Sequence, residues 1–172
     1  MLVIFAGLPG TGKTTLANEL ARRLDAVYLR IDRIERALAE SCLKIHPAED
    51  AGYQVGYALA EDNLRLGRIV VADSVNPIDP TRDAWLQAAA RAGRDGIEVE
   101  VICADPVEHR RRIEGRRTDI AGLKLPSWQD VLDRDYRPWD RDRVVIDTAG
   151  KSVEQCLEEL LTRLPPPQAQ VR

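Results

Sequence analysis

Short apolar segments alternate along the chain with longer amphipathic ones. The first, residues 2–6, is a continuous apolar run, as expected for a central parallel strand covered on both faces. The next segment, residues 14–24, carries Leu16, Leu20 and Leu24 at helical spacing, with charged residues on the opposite side. This alternation predicts a strand followed by a helix, and it continues to about residue 164.

The whole pattern predicts five strands and seven helices. The strands are expected at 2–6, 26–31, 68–73, 98–103 and 143–147, and the helices at 14–24, 34–41, 52–66, 82–92, 107–117, 128–135 and 153–164. Strands and helices in alternation indicate a doubly wound parallel α/β domain, whose ligands bind outside the carboxyl ends of the strands. We therefore predict one domain over residues 1–164 and a disordered tail, 165–172, that begins with three prolines.

The predicted strands end in residues that can serve a ligand. These residues are Gly7, Asp32, Asp73, Asp105 and Asp147. For Asp105 and Asp147, helix capping or solvation in a loop is the favoured interpretation.

The segment after the first strand matches the phosphate-loop pattern G-x-x-x-x-G-K-[ST]. Its residues are Gly7, Leu8, Pro9, Gly10, Thr11, Gly12, Lys13 and Thr14, followed by Thr15 in the helix. Glycines let the backbone wrap around a polyphosphate with its N–H groups turned inward, and the helix adds its positive end. Lys13 is expected to reach the β- and γ-phosphates and Thr14 to ligate Mg²⁺. The loop predicts binding of a nucleoside triphosphate.

Composition narrows the class of protein. With 172 residues and 44% hydrophobic residues, the chain can bury a substantial core. The net charge of −3 argues against a protein that coats nucleic acid, although a local basic channel or the binding of a nucleic-acid end stays open. Cys42, Cys103 and Cys156 are widely spaced and are expected to be small buried hydrophobic residues in a reducing cytosol. No run is long enough for a membrane span, so we expect a soluble cytoplasmic protein.

Together these motifs resemble the small P-loop kinases. The resemblance rests on Gly7–Thr14, on Asp32 followed by Arg36, on the stretch 71–77 followed by Arg82, and on the arginine-rich helix after the fourth strand. It covers roughly residues 1–164, and the closest branch is similar to polynucleotide 5′-kinases, zeta-toxin-like kinases, chloramphenicol phosphotransferase and AAA family ATPases. It implies an adenylate-kinase-like fold with strand order 2-3-1-4-5, with ATP and Mg²⁺ as cofactors.

The resemblance also implies roles for residues at the strand ends. Asp32 takes the place of the base that acts on the acceptor hydroxyl; its other interpretation is an N-cap. Polynucleotide kinases usually have an arginine three residues after this acid, where this chain has Glu35, so Arg36 and Arg33 are the nearby substitutes. Asp73 is expected near Mg²⁺ or the acceptor. The remaining predicted substrate-binding residues are Ser74, Asn76 and Arg82; for Asn76, turn formation is an equal alternative.

The helix at 107–117 resembles a lid, expected over about 107–122. Arg112 and Arg116 are predicted to stabilise charge on the transferred phosphoryl group, and Arg110 to bind nucleotide; a solvated surface charge is the alternative for each. By resemblance, adenine rests near Thr148 and Gly150. The aromatic stretches around Trp128 and Trp139 either form a wall of the acceptor pocket or anchor a loop on the core.

We expect a kinase that transfers the γ-phosphate of ATP to a hydroxyl of a small molecule or of a nucleotide or polynucleotide end. The alternative is a regulatory ATPase or switch that acts through a protein partner, although 172 residues leave little room for the extra domains that such proteins carry. A nucleotide-binding protein without turnover is a third possibility. The choice of acceptor is expected to lie in the loops at 41–55 and 119–142, and the sequence identifies neither the acceptor nor the oligomeric state.

Overall fold

A computed structural model describes residues 1–122 and 125–166. Its five strands are β1 (Leu2–Ala6), β2 (Val27–Arg30), β3 (Val70–Asp73), β4 (Gly96–Ile102) and β5 (Val144–Asp147). Its helices are α1 (Lys13–Arg23), α2 (Ile31–Glu40), α3 (Ala51–Arg65), α4 (Asp79–Arg91), α5 (Pro106–Glu114), α6 (Trp128–Leu132) and α7 (Val153–Arg163). The prediction of a disordered tail falls mostly on residues 167–172, outside the described residues.

All five strands form one sheet in the order β2-β3-β1-β4-β5. Each neighbouring pair is parallel, and in the centre Leu2 of β1 lies opposite Val70 of β3 and Gly96 of β4. The predicted fold class and strand order are therefore confirmed. Because the strands are parallel, their carboxyl ends meet along one edge, which sets the place of the site.

Each face of the sheet has its own hydrophobic core. On one face Val3 and Phe5 pack with residues of α1 and α7; on the other Leu2 and Ile4 pack with residues of α3 and α4. Alternate side chains of a strand point to opposite faces, so a strand buried on both sides must be apolar throughout. All of β1 is buried, in agreement with the apolar run that predicted it.

Several element boundaries differ from the prediction. Helix α5 ends at Glu114, three residues before the predicted end, so Arg116 lies beyond the helix. Helix α4 begins at Asp79, three residues before the predicted start, because Ile78 adopts the extended N-cap conformation and Pro80 fits the first turn. Helix α2 likewise begins directly where β2 ends.

Two predictions about single side chains have different outcomes. Asp105 caps α5 by accepting hydrogen bonds from the N–H groups of Val107 and Glu108, which confirms its capping role. Cys103 and Cys156 are buried as predicted, but Cys42 is exposed, so the prediction for Cys42 is wrong. It lies in the segment between α2 and α3, where most side chains are exposed.

Among the described residues, no helix combines the length and the apolar character that crossing a membrane requires.

Candidate active site

A deep cleft opens at the carboxyl edge of the sheet. It has a volume of about 1600 Å³ and is bordered by the phosphate loop, the junction of β2 and α2, the start of α3 and the segment after α5. The predicted site residues on its wall are Leu8, Pro9, Gly10, Gly12, Lys13, Thr14, Thr15, Asp32, Ser74, Arg112 and Arg116. One cavity therefore joins the predicted nucleotide and acceptor sites.

The phosphate loop depends on glycine at two positions. Gly7 has φ +142, and a Cβ there would lie 2.3 Å from the carbonyl oxygen of Val101. Gly12 has φ +90 and begins α1, and no side chain of the described residues caps this helix end. The first N–H groups of α1 are thus left for another acceptor, and a helix N-terminus favours an anion.

Lys13 and Asp73 form a buried ion pair at the base of the loop. The Lys13 ammonium donates to a carboxylate oxygen of Asp73 at 2.5 Å, and the Tyr28 hydroxyl donates to the other oxygen at 2.8 Å. Burial alone would raise the pKa of Asp73, but the Lys13 charge and hydrogen bonds from Lys13, Tyr28 and Thr14 lower it. Asp73 therefore stays ionised next to Thr14, its partner in the predicted Mg²⁺ site.

The donor set agrees with magnesium bound through a nucleotide. Mg²⁺ usually keeps several waters and takes one or two protein oxygens plus phosphates. Thr14 and Asp73 supply such oxygens, and Thr14 is close enough to help lower the pKa of Asp73. Elsewhere in the parts of the chain that the structure describes, no group of three or more His, Cys, Asp or Glu side chains is arranged to hold a metal ion.

Arg112 is held at the opposite side of the loop. It donates to the Thr148 hydroxyl at 2.7 Å, to the Thr148 carbonyl at 2.9 Å and to Glu108 at 2.7 Å. The Thr148 hydroxyl in turn donates to the carbonyl of Thr11 at 2.7 Å, and Gly150 donates its N–H to Glu108. Arg112 thus reaches the cleft from a fixed base, whereas Thr148 and Gly150 are outside its described wall.

His109 also holds the phosphate loop from α5. Its Nε2 lies 2.8 Å from the carbonyl oxygen of Pro9, and because a carbonyl only accepts, the imidazole nitrogen donates. The ring is buried and meets the edge of Trp128 with 5.2 Å between ring centroids. Helix α5 therefore fixes the loop backbone through His109, as well as supplying Arg112 to the cleft.

Two acidic side chains of α2 face the cleft, together with Arg33. Asp32 lies in the first turn of α2 and Glu35 one turn later, and both line the cavity. Burial raises the pKa of Glu35, the nearby Asp32 charge raises it further, and Arg134 partly opposes this. Arg30, not Asp32, is the N-cap residue of α2, so the capping alternative for Asp32 does not hold.

Nine predicted site residues do not line the described wall of the cleft: Gly7, Thr11, Arg36, Asp73, Asn76, Arg82, Arg110, Thr148 and Gly150. Arg110 pairs with Glu114 at 2.8 Å on the outer side of α5, and Arg36 pairs with Glu40 at 2.6 Å. Arg82 and Asn76 are fully buried, and the Arg82 guanidinium donates to the Asn76 carbonyl at 3.1 Å. In this structure Arg82 is a structural residue, since its donors are directed at backbone carbonyls.

The aromatic stretches serve as anchors. Trp139 lies over the Arg82 guanidinium at 3.9 Å from the ring centroid, and Trp128 packs on His109. Neither tryptophan is among the residues that line the cleft, although Leu125, Pro126 and Arg134 from the same region are. Of the two interpretations of these stretches, the structure supports the loop anchor; Leu123 and Lys124 fall outside the described residues.

Sequence reasoning missed several residues that hold or line the site. They are Tyr28, Arg30, Tyr53, His109 and Asp119. Tyr28 and Arg30 alternate with Val27 and Leu29 in β2. This alternation is the sequence signal that places both polar side chains on one face of the sheet. The other three depend on contacts between distant segments, which no local pattern shows.

The phosphate loop and the five-stranded parallel sheet define the class of protein, a P-loop protein with a kinase-type fold. The chain belongs to the AAA domain family, whose model matches residues 2–134. An adenylyl-sulfate kinase of Synechococcus sp. (strain JA-2-3B'a(2-13)) is 30% identical over 170 residues, covering 94% of this chain and 93% of that protein. A shikimate kinase of Frankia casuarinae is 31% identical over 179 residues, covering 96% of this chain and 73% of that protein.

A solved structure shows the same fold. It is the APS kinase of Mycobacterium tuberculosis in complex with AMPPNP and APS, with a TM-score of 0.70, 19% identity and coverage of 94% of this chain and 95% of that one. The relatives are P-loop kinases, which supports phosphotransfer from ATP. They do not confirm the resemblance to the branch of polynucleotide kinases, zeta-toxin-like kinases and chloramphenicol phosphotransferase.

Proposed function

We propose that the protein is a kinase that transfers the γ-phosphoryl group of ATP to a hydroxyl group of a small molecule. The observation that carries the proposal is the single cleft, which places the phosphate loop and the Asp32 carboxyl on the walls of one cavity. A nucleotide bound on the loop would leave the part of the cavity beside α2 and α3 for a second molecule. An ATPase that acts without an acceptor has no need of this second part.

The nucleotide end of the cleft has the groups that hold a triphosphate. The free N–H groups at the start of α1 bind phosphate oxygens, and Lys13 is released from Asp73 towards the β- and γ-phosphates. Thr14 and Asp73 would hold Mg²⁺, which would supply positive charge to the phosphate oxygens. Arg112 and Arg116 add positive charge on the opposite wall.

Asp32 is positioned to act on the acceptor. In the proposed reaction the acceptor oxygen forms a bond to the γ-phosphorus while the bond from that phosphorus to the β,γ-bridging oxygen breaks. The Asp32 carboxylate takes the proton of the acceptor hydroxyl, and ADP leaves with the electron pair of the broken bond. The first turn of α2 holds Asp32 on the wall of the cleft.

The test is the substitution Asp32→Asn. It is expected to lower kcat by about 10²–10⁴, the range for loss of a general base, while the Kd for Mg·ATP stays unchanged. Turnover is measured as ADP and as phosphorylated product, with alcohols, sugars, hydroxy acids and nucleic-acid 5′-ends offered as acceptors. Asp62→Asn, an exposed carboxylate on α3, serves as the matched control.

Two results count against the proposal. Normal transfer by Asp32→Asn would remove Asp32 from the reaction. ADP production that is the same with and without every acceptor would favour the ATPase that acts through a protein partner.

A further inference from the structure

A buried arginine faces the acceptor end of the cleft beside the proposed base. Arg30 ends β2, two residues before Asp32, and both residues line the cavity. The Arg30 side chain is only 8% exposed, whereas that of its ion-pair partner Asp119 is 72% exposed. Asp119 comes from the segment after α5, so the pair joins a rigid strand end to a surface segment.

The pairing leaves the guanidinium incompletely satisfied. Both carboxylate oxygens of Asp119 lie 2.9 Å from the same Nη1 atom of Arg30. The Arg30 Nε atom is buried and has no hydrogen-bond partner among the described residues. A carboxylate that matched the planar guanidinium would use two parallel N–H groups instead.

Stability does not explain an arginine at this position. An ion pair with a largely exposed partner contributes about 0–1 kcal/mol, and replacing a buried charged group by an apolar one is often neutral or favourable. A leucine or isoleucine would continue β2 at lower cost. The guanidinium is therefore better explained by a ligand that the cleft receives.

We infer that Arg30 binds a carboxylate group of the acceptor and that the Asp119 carboxylate occupies this position when the acceptor is absent. The inference rests on the proposed function, because it assigns the acceptor of that same cleft. The acceptor is then a hydroxy acid, with its hydroxyl at Asp32 and its carboxylate at Arg30. Binding requires that Asp119 leave Arg30, and its exposure makes it free to do so.

The group that Arg30 holds in this structure indicates which anion it takes. That group is the carboxylate of Asp119. Asp32 and Glu35 line the same part of the cleft together with Arg33 and Arg134, so charges of both signs surround a bound anion. Inorganic phosphate is therefore tested as a competing probe beside the carboxylates.

The experiment compares acceptor-like molecules that differ in one charge. D-glycerate with glycerol, and quinate with myo-inositol, are titrated by calorimetry into the protein saturated with Mg²⁺ and a nonhydrolysable ATP analogue. Inorganic phosphate is titrated as a third probe. The proteins are wild type, Asp119→Asn, Arg30→Gln and Arg30→Lys, with Arg91→Gln as an exposed arginine control on α4.

Asp119→Asn is expected to bind at least one hydroxy acid about 10-fold or more tighter than wild type, the effect of one freed charge-assisted hydrogen-bond pair. Arg30→Gln should lose this binding, and Arg30→Lys should recover only part of it, since an ammonium lacks the planar fork. Glycerol and myo-inositol should bind all variants alike, and Arg91→Gln should match wild type.

The inference is overturned if Asp119→Asn binds the hydroxy acids no better than wild type, or binds inorganic phosphate more tightly than every carboxylate. It is also overturned if each substitution changes the affinity for charged and neutral probes equally, as expected if the Arg30–Asp119 pair were only structural. These results are independent of turnover. Transfer to acceptors without preference for charge would contradict the Arg30 assignment but support the proposed kinase activity. Carboxylate binding without transfer to any acceptor would support the Arg30 assignment but contradict the proposed kinase activity.

Discussion

Glu35 lines the cleft and also packs against α3, so its ionisation affects the stability of the fold. Its carboxyl lies one helical turn from Asp32, and its side chain packs where α3 has Gly52: a Cβ on Gly52 would lie 2.4 Å from Glu35 Cγ. A partly buried carboxylate near a second one favours its protonated form. The pKa of Glu35 is accordingly raised above 4.5.

This shift predicts how Glu35→Gln changes stability with pH. The folded protein binds the Glu35 proton more tightly than the unfolded chain, so this group favours folding at low pH, and that contribution is lost as pH rises through its folded pKa. Below the unfolded value of 4.5 both carboxyl and amide are neutral, and the variant should match wild type. Towards pH 7 the variant should become the more stable protein, measured as the difference in Tm between pH 4 and pH 8.

Glu40→Gln is the matched control on the same helix. Glu40 is exposed and pairs with Arg36 at 2.6 Å, so its removal should leave the Tm unchanged or slightly lower at neutral pH. A Tm difference for Glu35→Gln that stays constant from pH 4 to pH 8 would contradict the raised pKa.

At the scale of elements, Arg82 holds α4, the turn before it and the connector before β5 together. Its guanidinium donates to the carbonyls of Pro77 at 3.2 Å, of Arg137 at 2.8 Å and of Pro138 at 3.4 Å. Asp79 accepts a further bond at 3.1 Å, and the Trp139 ring covers the group. One buried side chain thus joins segments more than fifty residues apart.

Arg82→Lys is expected to destabilise the protein by about 3 kcal/mol or more, because an ammonium cannot supply the divergent donors and leaves buried carbonyls unpaired. The free energy of unfolding is measured in urea. Arg137→Ala is the control: its side chain is exposed and the carbonyl that accepts from Arg82 remains, so its effect should stay within about 0.5 kcal/mol. Equal stability of Arg82→Lys and wild type would contradict the structural role.

The same element shows how far the sequence could predict the structure. The alternation of strands and helices follows from local apolar patterns, and the phosphate loop follows from one specific motif. The strand order was implied by the resemblance to small P-loop kinases, and the structure agrees with all three. Arg82 was predicted to bind substrate because it follows the strand that ends at Asp73. Its actual partners at 137–138 come from an irregular connector, whose path depends on tertiary packing that no local periodicity encodes.

Helix α5 shows a second reason for the difference. The sequence pattern predicts one helix that carries all the arginines at 110–117, but the helix ends at Glu114 and Gly115 is its C-cap. Glycine loses more backbone entropy in a helix than other residues, so it is disfavoured in a helix interior. Arg116 still lines the cleft, although from a loop and not from the helix that carries Arg112.

At the scale of the whole molecule, ligand binding and folding are linked through the buried Lys13–Asp73 pair. Anything that binds the folded state alone stabilises it, by about 2.7 kcal/mol at 100 times Kd. For a domain of this size each kcal/mol raises Tm by about 2–4 °C, so saturating Mg·ATP should raise the Tm by roughly 5–11 °C. Differential scanning fluorimetry with and without Mg·ATP measures this shift.

Lys13→Ala alone confuses two effects, because it removes a phosphate contact and also leaves the Asp73 carboxylate buried without its cation. Loss of one partner of a buried pair costs about 3–5 kcal/mol, so the variant without ligand should already melt at a lower temperature. The double variant Lys13→Met with Asp73→Asn removes both charges and should recover much of that loss. Each protein is therefore compared with its own ligand-free Tm: wild type should gain the full shift and the double variant little of it. If neither Mg·ATP nor Mg·GTP shifts the wild-type Tm, the loop does not bind a triphosphate. That result would contradict the nucleotide- and magnesium-binding roles of Lys13, Thr14 and Asp73.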